Sequence, residues 1–106
     1  MLTRPELPQV SLDLLAAADV LVKRGHCKFR LRNKEGQVCA VGAILMALEG
    51  CPNENARQIS ALGALSLALG ESTVNWNNRP ERTAEEVINK FREVAYNLGE
   101  YYASEN

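Results

Sequence analysis

The sequence predicts a mainly α domain of the α+β kind, with about four helices and a short β-hairpin between the first and second. Three observations carry this. Apolar residues recur at i, i+3, i+4 and i+7 through most of the chain, which is helical spacing. The stretch 38–50, VCAVGAILMALEG, is the most apolar and reads as a buried helix. Between residues 27 and 39 the period shortens to two around a Gly-containing turn, which is strand spacing.

Residues 1–10 hold Pro5 and Pro8 and read as an extended lead-in, and residues 11–106 as a single globular domain. Ser11 offers an N-cap, Asp13 stands where the helix dipole favours an acid, and Val10 is placed to staple against Leu15. The first helix is therefore expected over 12–24, with Leu14, Leu15, Ala18, Leu21 and Val22 toward the core and Gly25 as its stop. In the hairpin, Cys27, Phe29 and Leu31 alternate with Lys28, Arg30 and Arg32. Asn33-Lys34-Glu35-Gly36 makes the turn and Gln37-Val38-Cys39 returns. Two strands alone are marginal in water, so the apolar face of the pair is expected to pack on the helices.

The second helix carries Val41, Ile44, Leu45 and Leu48 on one face and Ala40, Gly42, Ala43 and Ala47 on a smoother one. Its wording returns 21 positions later, where ALGALSLAL parallels AVGAILMAL. Glycine inside a helix costs roughly 1 kcal/mol relative to alanine. Gly42 and Gly63 therefore suggest close backbone approach, and the two segments are expected to form a central antiparallel pair. Asn53 or Asn55 is the expected cap of the third helix, with Gln58 at capping-box distance from Asn55, and Gly70 ends it. Residues 71–82, ESTVNWNNRPER, have no period and read as a long polar loop around the single Trp. Thr83 and Glu86 then make a capping box for the fourth helix. The apolar stripe of that helix runs through Val87, Ile88, Phe91, Val94, Ala95, Leu98, Tyr101 and Tyr102. Tyr96, Tyr101 and Tyr102, on or beside the stripe, point to core packing or to a homodimer contact.

At 106 residues the chain is long enough to bury about two thirds of its unfolded surface in one core. Its longest apolar run is shorter than the ~20 residues that span a bilayer, and MLTRPELP has no continuous apolar stretch of the secretory kind. A cytoplasmic protein with no membrane partner is expected. Cys27, Cys39 and Cys51 are an odd number, which argues against a closed disulfide framework and for reduced thiols. The net charge of −1 conceals an asymmetry. Residues 1–35 hold seven basic and four acidic side chains, net +3, and the remainder five and nine, net −4. A strongly acidic, DNA-mimicking chain is excluded; a nucleic acid and a protein both stay open as partners.

Three features together, the basic stretch ending in VCAVGAI, the WNN segment and the RTAEEVI helix start, resemble a family of small uncharacterised proteins of actinobacteria and their bacteriophages. The likeness covers residues 12–96, and its distinctive parts are Cys-x-x-Gly-Ala, here Cys39 to Ala43, and Trp-Asn-Asp ahead of a Thr-capped helix. Here the segment is Trp76-Asn77-Asn78, with Asn in place of the expected Asp. The resemblance implies a bacterial or phage setting and carries no activity.

Among residues that could carry chemistry, Cys39 stands at a helix start, where the dipole favours thiolate, and His26 is the single histidine. A hairpin would bring the two near each other, with Asn77 or Asn78 orienting the ring, the arrangement of a thiol-dependent hydrolase or transferase. The plainer reading makes Cys39 a small packed apolar residue. His26, Cys27, Cys39 and Cys51 lack the paired spacing of a structural zinc site, so no metal is expected, and no cofactor fingerprint is present.

The run KRGHCKFRLRNK holds six cations and no acid. Lys28, Arg30 and Arg32 would form one charged face of a strand, suited to an acidic protein, to phosphates, or to preventing edge-to-edge pairing. Trp76 reads either as a core plug or as a binding anchor. Together these features predict a small non-catalytic accessory protein that binds another protein through the basic hairpin and the Asn/Trp loop, with Lys28, Arg30, Arg32, Trp76, Asn77 and Asn78 as contact residues. Thiol chemistry and nucleic-acid binding are the alternatives.

Overall fold

A computed structural model describes Thr3 and residues 6–105, and the expected lead-in lies partly outside these residues. Among them are five helices: α1 Gln9–Arg24, α2 Ala40–Leu48, α3 Glu54–Leu69, α4 Thr73–Asn77 and α5 Ala84–Glu105. The first begins three residues earlier than Ser11 would set it, behind Pro8, and has no side-chain cap. Ser11 is buried, and its hydroxyl donates to the Ala95 carbonyl of α5 at 2.6 Å.

Asp13 also has a distant partner in place of the helix dipole. The Nη2 and Nε of Arg57 in α3 donate to its two oxygens at 2.8 and 3.1 Å, and Gln9 Nε2 donates at 2.8 Å. A carboxylate this buried persists because it is paired and its lone pairs are filled.

The hub of the fold is α1, which packs most extensively on α5, then on α2, and more lightly on α3. Leu14, Leu15 and Leu21 of α1 meet Ile44 and Leu48 of α2, Leu65 of α3, and Val87 and Phe91 of α5 in one buried cluster. Each large side chain so buried contributes about 1.5–3 kcal/mol. Val22, expected inside, is exposed. The expected central pair of α2 and α3 is a lesser contact, and the two helical glycines differ. Beyond its own stretch of helix, Gly63 has no atom within 4 Å of the position its Cβ would take. A Cβ on Gly42 would lie 2.1 Å from the Leu31 carbonyl oxygen, so the close approach there is between a helix and a loop.

Several local signals hold. Gly25 and Gly70 end α1 and α3, and the Thr83–Glu86 box opens α5, with Glu86 N–H donating to Thr83 Oγ1 at 3.1 Å and Thr83 N–H to Glu86 Oε1 at 3.2 Å. The turn at 33–36 also forms, with Gly36 at φ 82° and Gly36 N–H donating to the Asn33 carbonyl at 3.0 Å.

The hairpin does not form. Among the described residues there is no strand, only the isolated pairings of His26 with Val38 (parallel) and Arg32 with Val38 (antiparallel). Val38 is gripped from both sides, since its N–H donates to Gly25 O and its carbonyl accepts from Cys27 N–H, while Cys39 N–H donates to Leu31 O. Phe29 turns into the left-handed region at φ 67° and interrupts the alternation before a ladder can run. The described residues are therefore all-helical in their regular structure, with an irregular loop in place of the expected hairpin. The short helix α4 lies where a polar loop was expected.

Candidate binding loop and its Asn77 anchor

The segment 25–39 is built by long-range hydrogen bonds to the residues around α4. Asn77 is fully buried and uses its whole amide. Its Oδ1 accepts from Ala40 N–H, at the start of α2, at 2.9 Å and from the His26 ring at 2.7 Å. Its Nδ2 donates to the Cys27 carbonyl at 3.2 Å and to Asn78 Oδ1 at 3.0 Å. Because Ala40 N–H can only donate, the facing atom of Asn77 is oxygen, and His26 Nε2 must carry the proton. Burial pushes the His26 imidazole below its ordinary range; the Asn77 bond opposes that shift and nearby Lys28 adds to it.

The network continues outward. Asn78 Oδ1 accepts from Phe29 N–H at 2.9 Å, and the Lys28 ammonium donates to the Pro80 carbonyl at 3.0 Å. Two consecutive tip residues, Lys28 and Phe29, are thus tied to the same short segment. The tip exposes Phe29, 78% accessible, and Leu31, 52%, alternating with the exposed Arg30 and Arg32. Behind it, the missing Cβ of Gly42 admits the Leu31 carbonyl against α2.

Trp76 is buried in the core cluster. The Arg82 guanidinium lies 4.2 Å from its ring centroid, and Arg82 Nε donates to the Trp76 carbonyl at 3.0 Å. This cation–π contact fixes the chain leaving α4. Arg79 and Glu71 close the other side of the segment through two hydrogen bonds of 2.6 and 2.7 Å, and the arginine holds the Glu71 carboxyl below its usual range.

Cys39 is the N-cap of α2, where its sulfur accepts from Gly42 N–H at 3.3 Å, and it is 7% exposed. His26 bonds to Asn77, while the bonds just described direct Cys39 and His26 to different partners. Burial, followed by the neighbouring Cys39, raises the Cys27 thiol. No three His, Cys, Asp or Glu side chains among the described residues converge in a way that would hold a metal ion.

A family model described as a family of unknown function, DUF6197, matches residues 5–97. The chain belongs to this family. Comparison with curated proteins finds no match, nor does comparison with solved structures. The match spans the loop, its Asn77 anchor and the α5 cap, so within this DUF6197 chain the described network falls inside the matched region.

The residues weighed from the sequence for binding or thiol chemistry fall into different situations. Arg30 and Arg32 are exposed, Lys28 and Asn78 are tied at the tip, His26, Cys39 and Asn77 hold its base, and Trp76 packs in the core cluster next to Asn77. Phe29 and Leu31, which the alternation places toward the helices, face outward; the signal that could have found them is the interleaving of apolar and basic residues.

Proposed function

We propose that the protein is a non-catalytic binding protein whose contact surface is the loop tip of residues 28–32 and whose partner is another protein. Phe29 carries the reading. A non-glycine residue in the left-handed region costs roughly 1–2 kcal/mol, and an aromatic side chain exposed to water has no packing to offset that cost. Phe29 nevertheless holds this conformation, its N–H bonded to an Asn78 that is itself seated on the buried Asn77. Strain maintained by a buried polar network around an exposed aromatic suits a contact residue ordered before its partner arrives.

Arg30 and Arg32 beside it favour a partner surface with carboxylates around an apolar recess. Trp76 and Asn77 act from behind, as supports of the loop. A cytoplasmic protein of an actinobacterium or its phage is part of the proposal, and three free cysteines support a reducing compartment.

The test is affinity capture from nuclease-treated host lysate with the wild-type chain, Phe29→Ala and the double reversal Arg30→Glu/Arg32→Glu. A protein retained by the wild type and lost with both variants supports the reading. Truncating an aromatic anchor typically costs about 2 kcal/mol or more in binding. Retention unchanged by either variant refutes it.

A further inference from the structure

Beside the loop lies a cleft of about 410 Å³. Its floor is the outward side of α2 at Leu45 and Met46, its far rim carries Glu49 and Glu54, and its near wall is Leu31 and Arg32 of the loop itself. Both Glu54 oxygens are engaged, accepting from Gly50 N–H at 3.0 Å and from Gln58 Nε2 at 3.3 Å, which leaves Glu49 as the exposed acid of the rim. The exposed Phe29, between Lys28 and Arg30, thus stands on the same loop whose Leu31 and Arg32 wall a recess floored by Leu45 and Met46 and rimmed by Glu49. The two halves of a complementary contact lie side by side on one patch.

We infer that the occupant of this cleft is the loop tip of a second copy of the chain, with Phe29 of each copy entering over Leu45 and Met46 of the other and Arg30 meeting Glu49. This rests on the loop being a contact surface, as proposed above, and concerns the chain with no other protein present. A twofold axis demands one patch that is complementary to itself, and adjacent anchor and recess meet that demand. The same two features on opposite faces would propagate an open chain. A net charge of −1 presents little overall repulsion to pairing. Each copy completes the other's cleft, so the site is whole only in the dimer.

Sedimentation equilibrium at low salt, from micromolar to millimolar chain, tests this without any outside partner. The molar mass is expected to rise from 11.7 kDa toward twice that value. Phe29→Ala, Arg30→Glu and Glu49→Arg, all at exposed positions, are each expected to weaken association about tenfold or more. The combined Arg30→Glu/Glu49→Arg chain is expected to regain most of the loss, which a merely structural effect of either change would not produce. Far-UV circular dichroism confirms that each variant keeps its helices.

A wild type that is monomeric up to millimolar overturns the inference, as does a dimer whose constant ignores all three single variants. Should the monomer still capture a lysate protein in a loop-dependent way, self-association alone fails and the binding reading stands. Loop-independent capture would remove both.

Discussion

Replacing Gly42 by alanine isolates the contact that seats the loop on α2. On helix propensity alone the change stabilises by roughly 1 kcal/mol. Against that, the new Cβ would meet the Leu31 carbonyl oxygen at 2.1 Å and its carbon at 2.9 Å, and both are backbone atoms that no rotamer change can move. Relief requires shifting the loop, at a typical overpacking cost of about 1–3 kcal/mol. The shift also breaks the bond from Cys39 N–H to Leu31 O, now 3.3 Å, for about another 1 kcal/mol. The balance is a net destabilisation of about 1–3 kcal/mol.

Gly63→Ala supplies the control, since it occupies the matching place in the internal repeat and has open space around it. There the propensity acts alone, and a gain of up to about 1 kcal/mol is expected. Urea unfolding followed by circular dichroism measures both. If Gly42→Ala is as stable as the wild type or more so, the Leu31 carbonyl is not seated on α2 and the account of the loop fails.

Asn77 and Asn78 are expected to answer differently to the same change. In Asn78→Asp the retained acceptor still meets two donors, Phe29 N–H and Asn77 Nδ2, and stability should move by less than about 0.5 kcal/mol. Asn77→Asp turns an acceptor toward the Cys27 carbonyl and Asn78 Oδ1, and a loss of about 2 kcal/mol or more in the same urea assay is expected. Arg57→Ala strands the buried Asp13 carboxylate and should lower the thermal midpoint by on the order of 10 °C, read by calorimetry. For His26, whose folded pKa lies below the ordinary 6.5, the unfolded chain takes up the proton first as pH falls. Stability should therefore be full above about pH 7 and decline below 6.5, and His26→Gln should flatten that decline in urea midpoints between pH 7 and 5. Cys39, buried and capping α2, should react with iodoacetamide more slowly than Cys27 or Cys51; peptide mass mapping reads the order, and fastest labelling at Cys39 would favour thiol chemistry.

Of the candidate site, the basic run, the Asn pair and the Trp could be marked as notable from their residues, but their division of labour could not. Nothing near Asn77 in the chain shows that its amide organises a loop some fifty residues earlier. Phe29 reads as the inward member of an alternating strand because its neighbours alternate, and it faces outward because Asn78 holds its N–H and a left-handed turn ends the alternation. Ser11 and Asp13 look like helix-start residues, since both types commonly serve there, yet their partners are the Ala95 carbonyl and Arg57.

What the sequence by itself determined were the features whose interactions close within a few residues: the helical periods, the Thr83–Glu86 box, the stops at Gly25 and Gly70, and the turn at 33–36. Each needs only neighbouring backbone groups to be satisfied, so local composition suffices to specify it. Only the tertiary structure decided that α1 is the hub, that Gly42 serves a loop while its repeat partner Gly63 serves none, and that the stretch 25–39 gives up strand pairing. Those outcomes turn on which distant donor or acceptor reaches a backbone group first, and buried polar groups accept whatever partner the packed helices bring to them.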